Sequence, residues 1–254
     1  MGSSQLIPDS PPPTQTTADP SLTLSDHLEE LRRRIGISLL AFLATVGVGF
    51  TQAEVIIAWL KRPAGDLLPR FVFFAPTEAL AAYLKVAGLS GLVLAMPIIL
   101  WQVWAFIRTG LTKQERGWGL AFVVWGSVLF AAGVAFAYGV LLPASLRLLL
   151  GIGRGSLEPV ISIDRYLSFV LSILGWCGVV FELPVIIFIL AKVGIVTPEF
   201  LAQQRPYAVL ALVIAAALLT PTTDIVNQML MTIPMLLLYE VSIPLARLAA
   251  RGRK

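Results

Sequence analysis

The segment at residues 26–34 holds the side chains in this chain best suited to bind another charged molecule. Its sequence is DHLEELRRR, so six of its nine residues are charged. Only 13% of the whole chain is charged, whereas a soluble domain has about 25%. A carboxylate in this segment, above all Glu30, could bind an external cation through charge-assisted hydrogen bonds. We therefore treat the segment as a candidate recognition surface.

A simpler interpretation of the same charges is that they pair with one another. The sequence TLSD at residues 23–26 fits a capping box and predicts a helix that begins near Leu24. On that helix Glu30 and Arg34 lie one turn apart and can form an ion pair. A solvated, self-paired helix beside the membrane is thus the alternative, and charge pattern alone does not exclude it.

A second carboxylate, Glu115, lies in the short polar sequence GLTKQER at residues 110–116. This sequence separates the second and third apolar runs, so it is expected at the same membrane face as Glu30. Two carboxylates at one face could bind a pair of guanidinium groups, because arginine donates two parallel hydrogen bonds to a carboxylate. An ordinary polar loop is the alternative.

Glu182 lies inside an apolar run, in the sequence FELP at residues 181–184. An ionised carboxylate is costly at that depth unless it is paired, hydrated or protonated, so such acids usually mark polar cavities or pathways. A neutral glutamate hydrogen-bonded to a neighbouring helix is the alternative.

Two further polar residues, Thr220 and Gln228, flank the last turn of the chain. They predict a polar patch near the outer membrane face. Helix capping would explain Thr220 as well, whereas Gln228 in an apolar run needs a hydrogen-bond partner, which another membrane protein could supply.

The composition predicts an all-α integral membrane protein. Hydrophobic residues make up 57% of the chain, and the mean hydropathy is +0.84. With one cysteine, Cys177, and one histidine, His27, a disulfide framework, a thiolate or histidine metal cluster and a Ser-His-Asp triad are excluded. We expect no cofactor or metal. The net charge of +4 favours membrane lipid over nucleic acid as a partner.

Six transmembrane helices are predicted, of which the last two are short. The fifth apolar run has only about 13 residues, fewer than the roughly 20 that cross a bilayer, and a soluble helical hairpin is the alternative for this last pair. A short amphipathic stretch at residues 54–61, ended by Pro63, falls in one outer connection, and residues 143–165 form another. The predicted spans are about 35–50, 79–107, 118–142, 166–191, 207–219 and 225–246.

The chain is divided into three parts. Residues 1–23, rich in proline and without the features of a signal peptide, are predicted to be a disordered cytoplasmic tail. Residues 24–247 form the membrane domain, and residues 248–254 form a basic cytoplasmic C-terminus. With the N-terminus inside, 12 of the 19 basic residues fall on the inner side and 7 on the outer. The positive-inside rule therefore places both termini in the cytoplasm.

An ordered set of motifs resembles the TatC family, the multi-span receptor subunit of the twin-arginine protein translocase. Any one motif is weak, but together they cover nearly everything except the N-terminal tail. They are HLEELR at 27–32, PIILWQVWAF at 97–106, GLTKQE at 110–115, FAY at 136–138, FELP at 181–184, RPY at 205–207 and TPTTDIVNQ at 220–228.

This resemblance implies a concave, cupped bundle of six spans in the bacterial cytoplasmic (inner) membrane. Such a receptor binds signal peptides with consecutive arginines and moves folded proteins across the membrane with the proton-motive force. Its implied partners are TatA- and TatB-type single-span proteins and further copies of itself within the receptor complex.

The resemblance also implies roles for particular residues. The implied signal-peptide contacts are Glu30 and Glu115, with Arg32, Lys113 and Arg116 shaping the same surface. Glu182 corresponds to the intramembrane acid on the concave side, and Thr220 and Gln228 correspond to the polar cluster where partner helices bind.

Two other classes of protein are alternatives to a receptor. A secondary transporter could use Glu182 as a proton relay, but the spans show no internal repeat and no further polar lining. An intramembrane enzyme would need paired catalytic groups such as HExxH, which the sequence lacks. We therefore expect a protein that is not an enzyme.

Overall fold

The structure, a computed structural model, describes residues 20–67, 71–108, 115–151, 160–220 and 224–251, apart from the side chains of residues 20–26, 66, 67, 115, 116 and 251. Ten α-helices lie within this part of the chain. They are α1 (Pro20–Thr51), α2 (Ala53–Lys61), α3 (Pro76–Ile107), α4 (Gly119–Phe136), α5 (Leu142–Gly151), α6 (Ile163–Phe181), α7 (Leu183–Val193), α8 (Pro198–Gln203), α9 (Arg205–Leu219) and α10 (Ile225–Arg251).

Five helical segments in the described residues are long and apolar enough to cross a membrane, which confirms the prediction of an all-α integral membrane protein. The apolar α9 has 15 residues, about 22 Å of helix, so the sixth span stays a prediction. The five segments are His27–Thr51, Pro76–Ile107, Gly119–Gly151, Ile163–Val193 and Ile225–Ala250.

The last helix is not short, so that part of the prediction is wrong. Helix α10 has 27 residues and continues through Pro234 and Pro244. In soluble proteins a proline inside a helix usually ends or kinks it. Membrane helices tolerate proline because neighbouring helices and local adjustments satisfy the freed backbone groups. The helix is therefore continuous through both prolines.

The predicted bounds of the membrane domain differ by a few residues from the first residue of α1 and the last residue of α10. Helix α1 begins at Pro20 rather than near Leu24, because proline suits the first turn of a helix, where its missing N–H is not needed. Helix α10 runs on to Arg251, into the predicted C-terminal segment. Most of the predicted tail, residues 1–19, lies outside the described residues, as do residues 252–254.

Two spanning segments contain interruptions. A π-helical turn, Ala137–Leu141, joins α4 to α5, so the first part of the predicted connection at 143–165 is helical instead. The turn adjusts the backbone just before Pro143, which has no N–H to donate. In the next segment α6 and α7 meet at Glu182, since Pro184 cannot donate to the turn before it.

Close backbone contacts hold the spanning helices together. Helix α1 packs on α3 at Gly91, where an added Cβ would lie 2.8 Å from the backbone nitrogen of Val46. Thr45 Oγ1 donates to the Gly91 carbonyl oxygen at 2.8 Å. Helix α4 packs on α6 at Gly133, where a Cβ would lie 2.7 Å from the Cys177 carbonyl oxygen. Small residues at such positions permit the van der Waals packing that drives helix association in lipid.

We call the end of the bundle where α1 begins the N-terminal end, and the other the opposite end. At the N-terminal end the rings of His27 on α1 and Phe106 on α3 lie 5.8 Å apart. The Lys192 ammonium of α7 lies there too, 5.7 Å from the ring of Trp118, which directly precedes α4. The opposite end holds α2, which the amphipathic stretch at 54–61 predicted correctly.

Candidate functional site

Glu30 forms the ion pair that its spacing from Arg34 predicts. On α1 the Arg34 Nη2 atom lies 3.0 Å from Glu30 Oε1, and the side chains are 18% and 30% exposed, respectively. The contact uses one nitrogen and one carboxylate oxygen. Glu30 is therefore paired within the chain and yet remains partly accessible at the N-terminal end.

A second contact fixes Arg34 from the neighbouring helix. Arg34 Nη1 donates to Oε1 of Gln102, a buried residue of α3, at 3.0 Å. The buried Nε of Arg34 has no hydrogen-bond partner among the described residues. The guanidinium thus links Glu30 to α3 through its two outer nitrogens. Sequence reasoning missed Gln102, although a glutamine in an apolar run is a signal that could have found it.

The remaining predicted signal-peptide contacts are only partly described. Arg32 is exposed on α1. A 3₁₀ turn, Glu115–Trp118, leads into α4, so the backbone of Glu115 is placed, while its side chain and that of Arg116 lie outside the described part. Lys113 falls in residues 109–114, which are outside it altogether.

The turn that carries Glu115 is held in place through Trp118. The Trp118 ring lies 6.1 Å from the ring of Phe188 and below the ammonium of Lys192, both on α7. Lys192 is itself buried and donates to the carbonyl oxygen of Ala249 on α10 at 3.5 Å. This buried lysine connects three helical segments at the N-terminal end.

Glu182 is enclosed at the junction of α6 and α7. Its side chain is 5% exposed, and neither carboxylate oxygen has a hydrogen-bond partner among the described residues. A Cβ added at Gly126 of α4 would lie 3.2 Å from Oε2 and 2.6 Å from Leu100 Cδ1. The carboxylate therefore packs against the backbone of α4. The alternative interpretation required a hydrogen bond from a neighbouring helix, and within the described residues no such bond is present.

An apolar cavity of about 440 Å³ lies beside this junction, between α4, α6 and α10. Phe181, the residue before Glu182, lines it together with Phe136 of α4 and residues around the proline in α10. Helix α10 packs loosely against α4 and α6 here, because Pro234 interrupts the regular hydrogen bonding of α10. The α10 residues in its lining are Leu230, Ile233, Pro234, Leu237 and Leu238.

Thr220 and Gln228 both bond to the preceding helix, α9. Thr220 Oγ1 donates to the Ala216 carbonyl oxygen at 2.8 Å, the capping-type contact that was its alternative interpretation. Gln228 Nε2 donates to the Val213 carbonyl oxygen at 3.2 Å. The amide nitrogen of Gln228 therefore has a partner within the chain. Both residues lie near the α9–α10 turn at the opposite end.

A charged network ties α3 to α6 at the opposite end, and sequence reasoning missed it. Lys85 Nζ lies 2.6 Å from Asp164 Oδ1 and donates to Ser168 Oγ at 2.8 Å. Ser162 Oγ donates to Glu78 Oε2 at 2.6 Å. The partner of Lys85 lies 79 residues away in the sequence, so local patterns do not reveal it.

Two tyrosines bind the backbone of α2 at the same end. The buried Tyr166 hydroxyl donates to the Leu60 carbonyl oxygen at 2.8 Å. The Tyr138 hydroxyl donates to the Trp59 carbonyl oxygen at 3.0 Å, and the two rings of this pair stack 3.7 Å apart. Helix α2 is thereby fixed to the ends of α4 and α6.

Among the described residues no group of His, Cys, Asp and Glu side chains could hold a metal ion.

Comparison with known proteins decides the family. Residues 26–234 match the family model described as Sec-independent protein translocase protein (TatC). The chain belongs to the TatC family. The matched range contains Glu30, Glu115, Glu182 and Gln228, and the resemblance drawn from the motifs is confirmed. TatC proteins are multi-pass membrane components of a protein translocase and are not enzymes.

Relatives match over most of this TatC chain. The TatC protein of Carboxydothermus hydrogenoformans is 42% identical over 229 residues, which are 90% of this chain and 94% of the relative. The TatC protein of Aquifex aeolicus is 38% identical over 237 residues, 92% and 98% of the two chains. A chloroplastic TATC protein of Arabidopsis thaliana is 41% identical over 221 residues, 87% of this chain and 65% of the relative.

The fold also matches a solved structure. A crystal structure described as the twin arginine translocase receptor TatC superposes with a TM-score of 0.78 at 38% identity. The match covers 89% of this chain and 100% of that one. The helical arrangement described above is therefore that of a TatC receptor.

Proposed function

We propose that this TatC protein is the receptor subunit of a twin-arginine translocase, which binds signal peptides with paired arginines and moves folded proteins across the membrane with the proton-motive force. The observation that carries the proposal is the partly exposed carboxylate of Glu30 at the N-terminal end, in a chain that shares its fold with a twin arginine translocase receptor. A carboxylate so placed can accept charge-assisted hydrogen bonds from a peptide guanidinium.

Glu115 is proposed to receive the second guanidinium of the pair. Its backbone lies in the turn that leads into α4, at the same end of the bundle as Glu30. Arg32, Lys113 and Arg116 are proposed to shape the surrounding surface. Positive charge around the two carboxylates would disfavour cationic segments that cannot form the directed hydrogen bonds.

Glu182 is proposed as an intramembrane polar residue that accepts a hydrogen bond from an entering helix. An enclosed carboxylate without a hydrogen-bond partner among the described residues can accept a donor from a helix that enters beside it. The apolar cavity next to Phe181 supports this role, because it leaves space between α6 and α10. A single acid makes a poor proton relay, because proton pumps and transporters line up several ionisable groups.

Partner helices of the TatA and TatB type are proposed to bind at α9 and α10, near Thr220 and Gln228. Met229, beside Gln228, is 44% exposed on α10 and can face such a helix. The Gln228 carboxamide oxygen can accept from a partner even while its nitrogen donates to Val213. The receptor is further proposed to form homo-oligomers.

For the cellular setting, we propose the bacterial cytoplasmic membrane with both termini in the cytoplasm. The excess of basic residues at the N-terminal end supports this orientation. The division into a tail at 1–23, a membrane domain at 24–247 and a C-terminal segment at 248–254 is likewise proposed, with the small shifts in helix ends given above.

The test of the function is selective binding of a paired-arginine peptide. The full-length protein, purified in detergent, is titrated with a fluorescent signal peptide that carries RR and with a matched peptide that carries KK. A receptor is expected to bind the RR peptide at least tenfold more tightly, since lysine does not reproduce the planar fork of arginine. Equal affinity for the two peptides would contradict the proposal, and so would a lack of binding; either would favour a solute transporter.

A further inference from the structure

We propose that Arg34 determines the preference for arginine over lysine at Glu30 and acts as a positioning residue. The inference rests on the proposed function, because it concerns how the same site selects its peptide. Two contacts carry it: the bond from Arg34 Nη2 to Glu30 Oε1 and the bond from Arg34 Nη1 to Gln102 Oε1, each 3.0 Å long.

The first step concerns orientation. An unrestrained glutamate on a helix surface samples several rotamers, and holding one of them costs conformational entropy. Here Arg34 holds one oxygen of Glu30, and buried Gln102 holds Arg34 against α3. The Glu30 carboxylate is thus oriented before a peptide arrives. Its other oxygen, Oε2, has lone pairs in a defined direction for an incoming N–H group.

The second step concerns charge. A bare carboxylate attracts any cation, including the compact ammonium of lysine. Arg34 places a full positive charge 3.0 Å from the Glu30 oxygen. The two charges therefore largely cancel for a ligand that is still some distance away. A ligand therefore gains little from attraction alone and must form directed hydrogen bonds. The planar guanidinium has five donors in a fixed fork, whereas the ammonium is a strongly hydrated point charge.

The third step concerns why the peptide shares Glu30 with Arg34 rather than replacing it. The Arg34 side chain is only 18% exposed, and its Nε has no hydrogen-bond partner among the described residues. Displacement from Glu30 would leave a largely buried cation whose one remaining hydrogen-bond partner among the described residues is Gln102, which is unfavourable. A carboxylate can accept from two guanidinium groups at once because it has about four acceptor positions.

The test compares RR and KK peptides on variants of the full-length protein in detergent. Arg34→Met removes the guanidinium but keeps an unbranched apolar stem. Arg34→Lys keeps the charge but not the fork, and Gln102→Met releases the guanidinium from α3. The control is Arg33→Met, which removes an identical charge from the adjacent, exposed position. Glu30→Gln serves as the reference for the site itself.

For Arg34→Met we expect the RR-over-KK affinity ratio to fall about tenfold, the effect of losing one oriented charge-assisted hydrogen bond. Binding of the KK peptide should become tighter and more salt-dependent, because the uncovered Glu30 charge now acts through simple attraction. Arg34→Lys and Gln102→Met should lie between this variant and the wild type. Arg33→Met should change both affinities together and leave the ratio as it was.

The outcomes separate this inference from the proposed function. If Glu30→Gln weakens RR binding while all three variants keep the wild-type ratio, the function stands and the role of Arg34 is wrong. Tighter RR binding by Arg34→Met at unchanged KK affinity would also overturn it, since Arg34 would then compete with the peptide. If Glu30→Gln leaves RR binding unchanged, the proposed site itself fails. Should Arg34→Met not fold, Arg34→Lys and Gln102→Met decide the matter.

Discussion

The two ends of this TatC protein use their polar side chains in different ways. At the opposite end Lys85, Asp164 and Ser168 bond to one another across α3 and α6, and two tyrosine hydroxyls bond to backbone carbonyls of α2. At the N-terminal end the charges of α1 are mostly exposed, and Glu30 is only partly covered by its ion pair. These polar groups of the opposite end are used within the fold, whereas the Glu30 carboxylate at the N-terminal end remains partly available to a ligand.

Two ion pairs, Glu30 with Arg34 and Lys85 with Asp164, show the same difference. Arg34 and Glu30 lie one turn apart on a single helix, so the pair does not by itself hold two elements together. Lys85 and Asp164 are 79 residues apart and join two helices. Changes at the opposite end should therefore reduce stability with little effect on peptide binding, and changes at Glu30 should do the reverse. The following predictions test that division, starting with the largest effect.

Replacing Glu30 and Glu115 together by alanine should weaken RR-peptide binding by roughly 100-fold or more. Each carboxylate is expected to accept charge-assisted hydrogen bonds of about 1.5–3 kcal/mol from the peptide. The measurement is peptide affinity of the full-length protein in detergent, with Glu29→Ala as the exposed control on α1. An unchanged affinity in the double variant would remove both residues from the site, and a large loss of thermal stability would erase the division between the two ends.

Tyr166→Phe should cost about 1–3 kcal/mol of unfolding free energy, because it leaves the carbonyl of Leu60 without its hydroxyl donor. The matched variant Tyr138→Phe removes the same kind of bond from the less buried Trp59 carbonyl and should cost about 0.5–1.5 kcal/mol. Unfolding in detergent by denaturant measures both. If either variant lost RR-peptide affinity while it remained folded, the opposite end would have a part in recognition after all.

Glu182→Ala should reduce export of a twin-arginine reporter by about 3- to 30-fold, and Glu182→Gln should retain much of it. A hydrogen bond between membrane helices is worth about 0.6–2 kcal/mol, and glutamine supplies such a group without a charge. Export in cells is measured beside RR-peptide affinity, which neither variant should alter. An equally complete loss of export with glutamine would show that ionisation of Glu182 is needed.

The smallest expected effect concerns the partner surface. Cysteine at Met229, which is 44% exposed, should crosslink to a single-span partner helix, whereas cysteine at Met231, 4% exposed on the same helix, should not. Neither change should alter peptide affinity, because both positions lie far from the N-terminal end. Crosslinks from α4 in place of Met229 would mean that the partner surface is assigned to the wrong helix.

Much of this fold could be predicted from local patterns in the sequence. Apolar runs located the spans, the amphipathic stretch at 54–61 located α2, and one-turn spacing identified the pair of Glu30 with Arg34. The predictions were wrong at the prolines of α10 and at Pro143, because the rule that proline ends a helix holds in water and is relaxed in lipid. Each of these predictions depends only on residues close together in the chain.

The contacts that define the two ends were harder to foresee. Gln102 and Lys85 were visible as polar residues in apolar surroundings, but their partners lie 68 and 79 residues away. A single sequence does not reveal which helices pack together, so it does not reveal those partners. For the same reason the sequence did not reveal that Lys192 contacts both Trp118 and Ala249.

The bond between Lys85 and Asp164 also bears on how the protein is made. Lys85 leaves the ribosome 79 residues ahead of Asp164, so α3 can enter the bilayer before the carboxylate that pairs with Lys85 in the folded protein has been synthesised. The aliphatic stem of lysine lets the charge reach the lipid headgroups in the meantime. Helix α3 can thus enter the membrane early and form its ion pair with α6 only later. A nascent chain that stops before Asp164 would hold α1 and α3 in the membrane without the bond that ties α3 to α6.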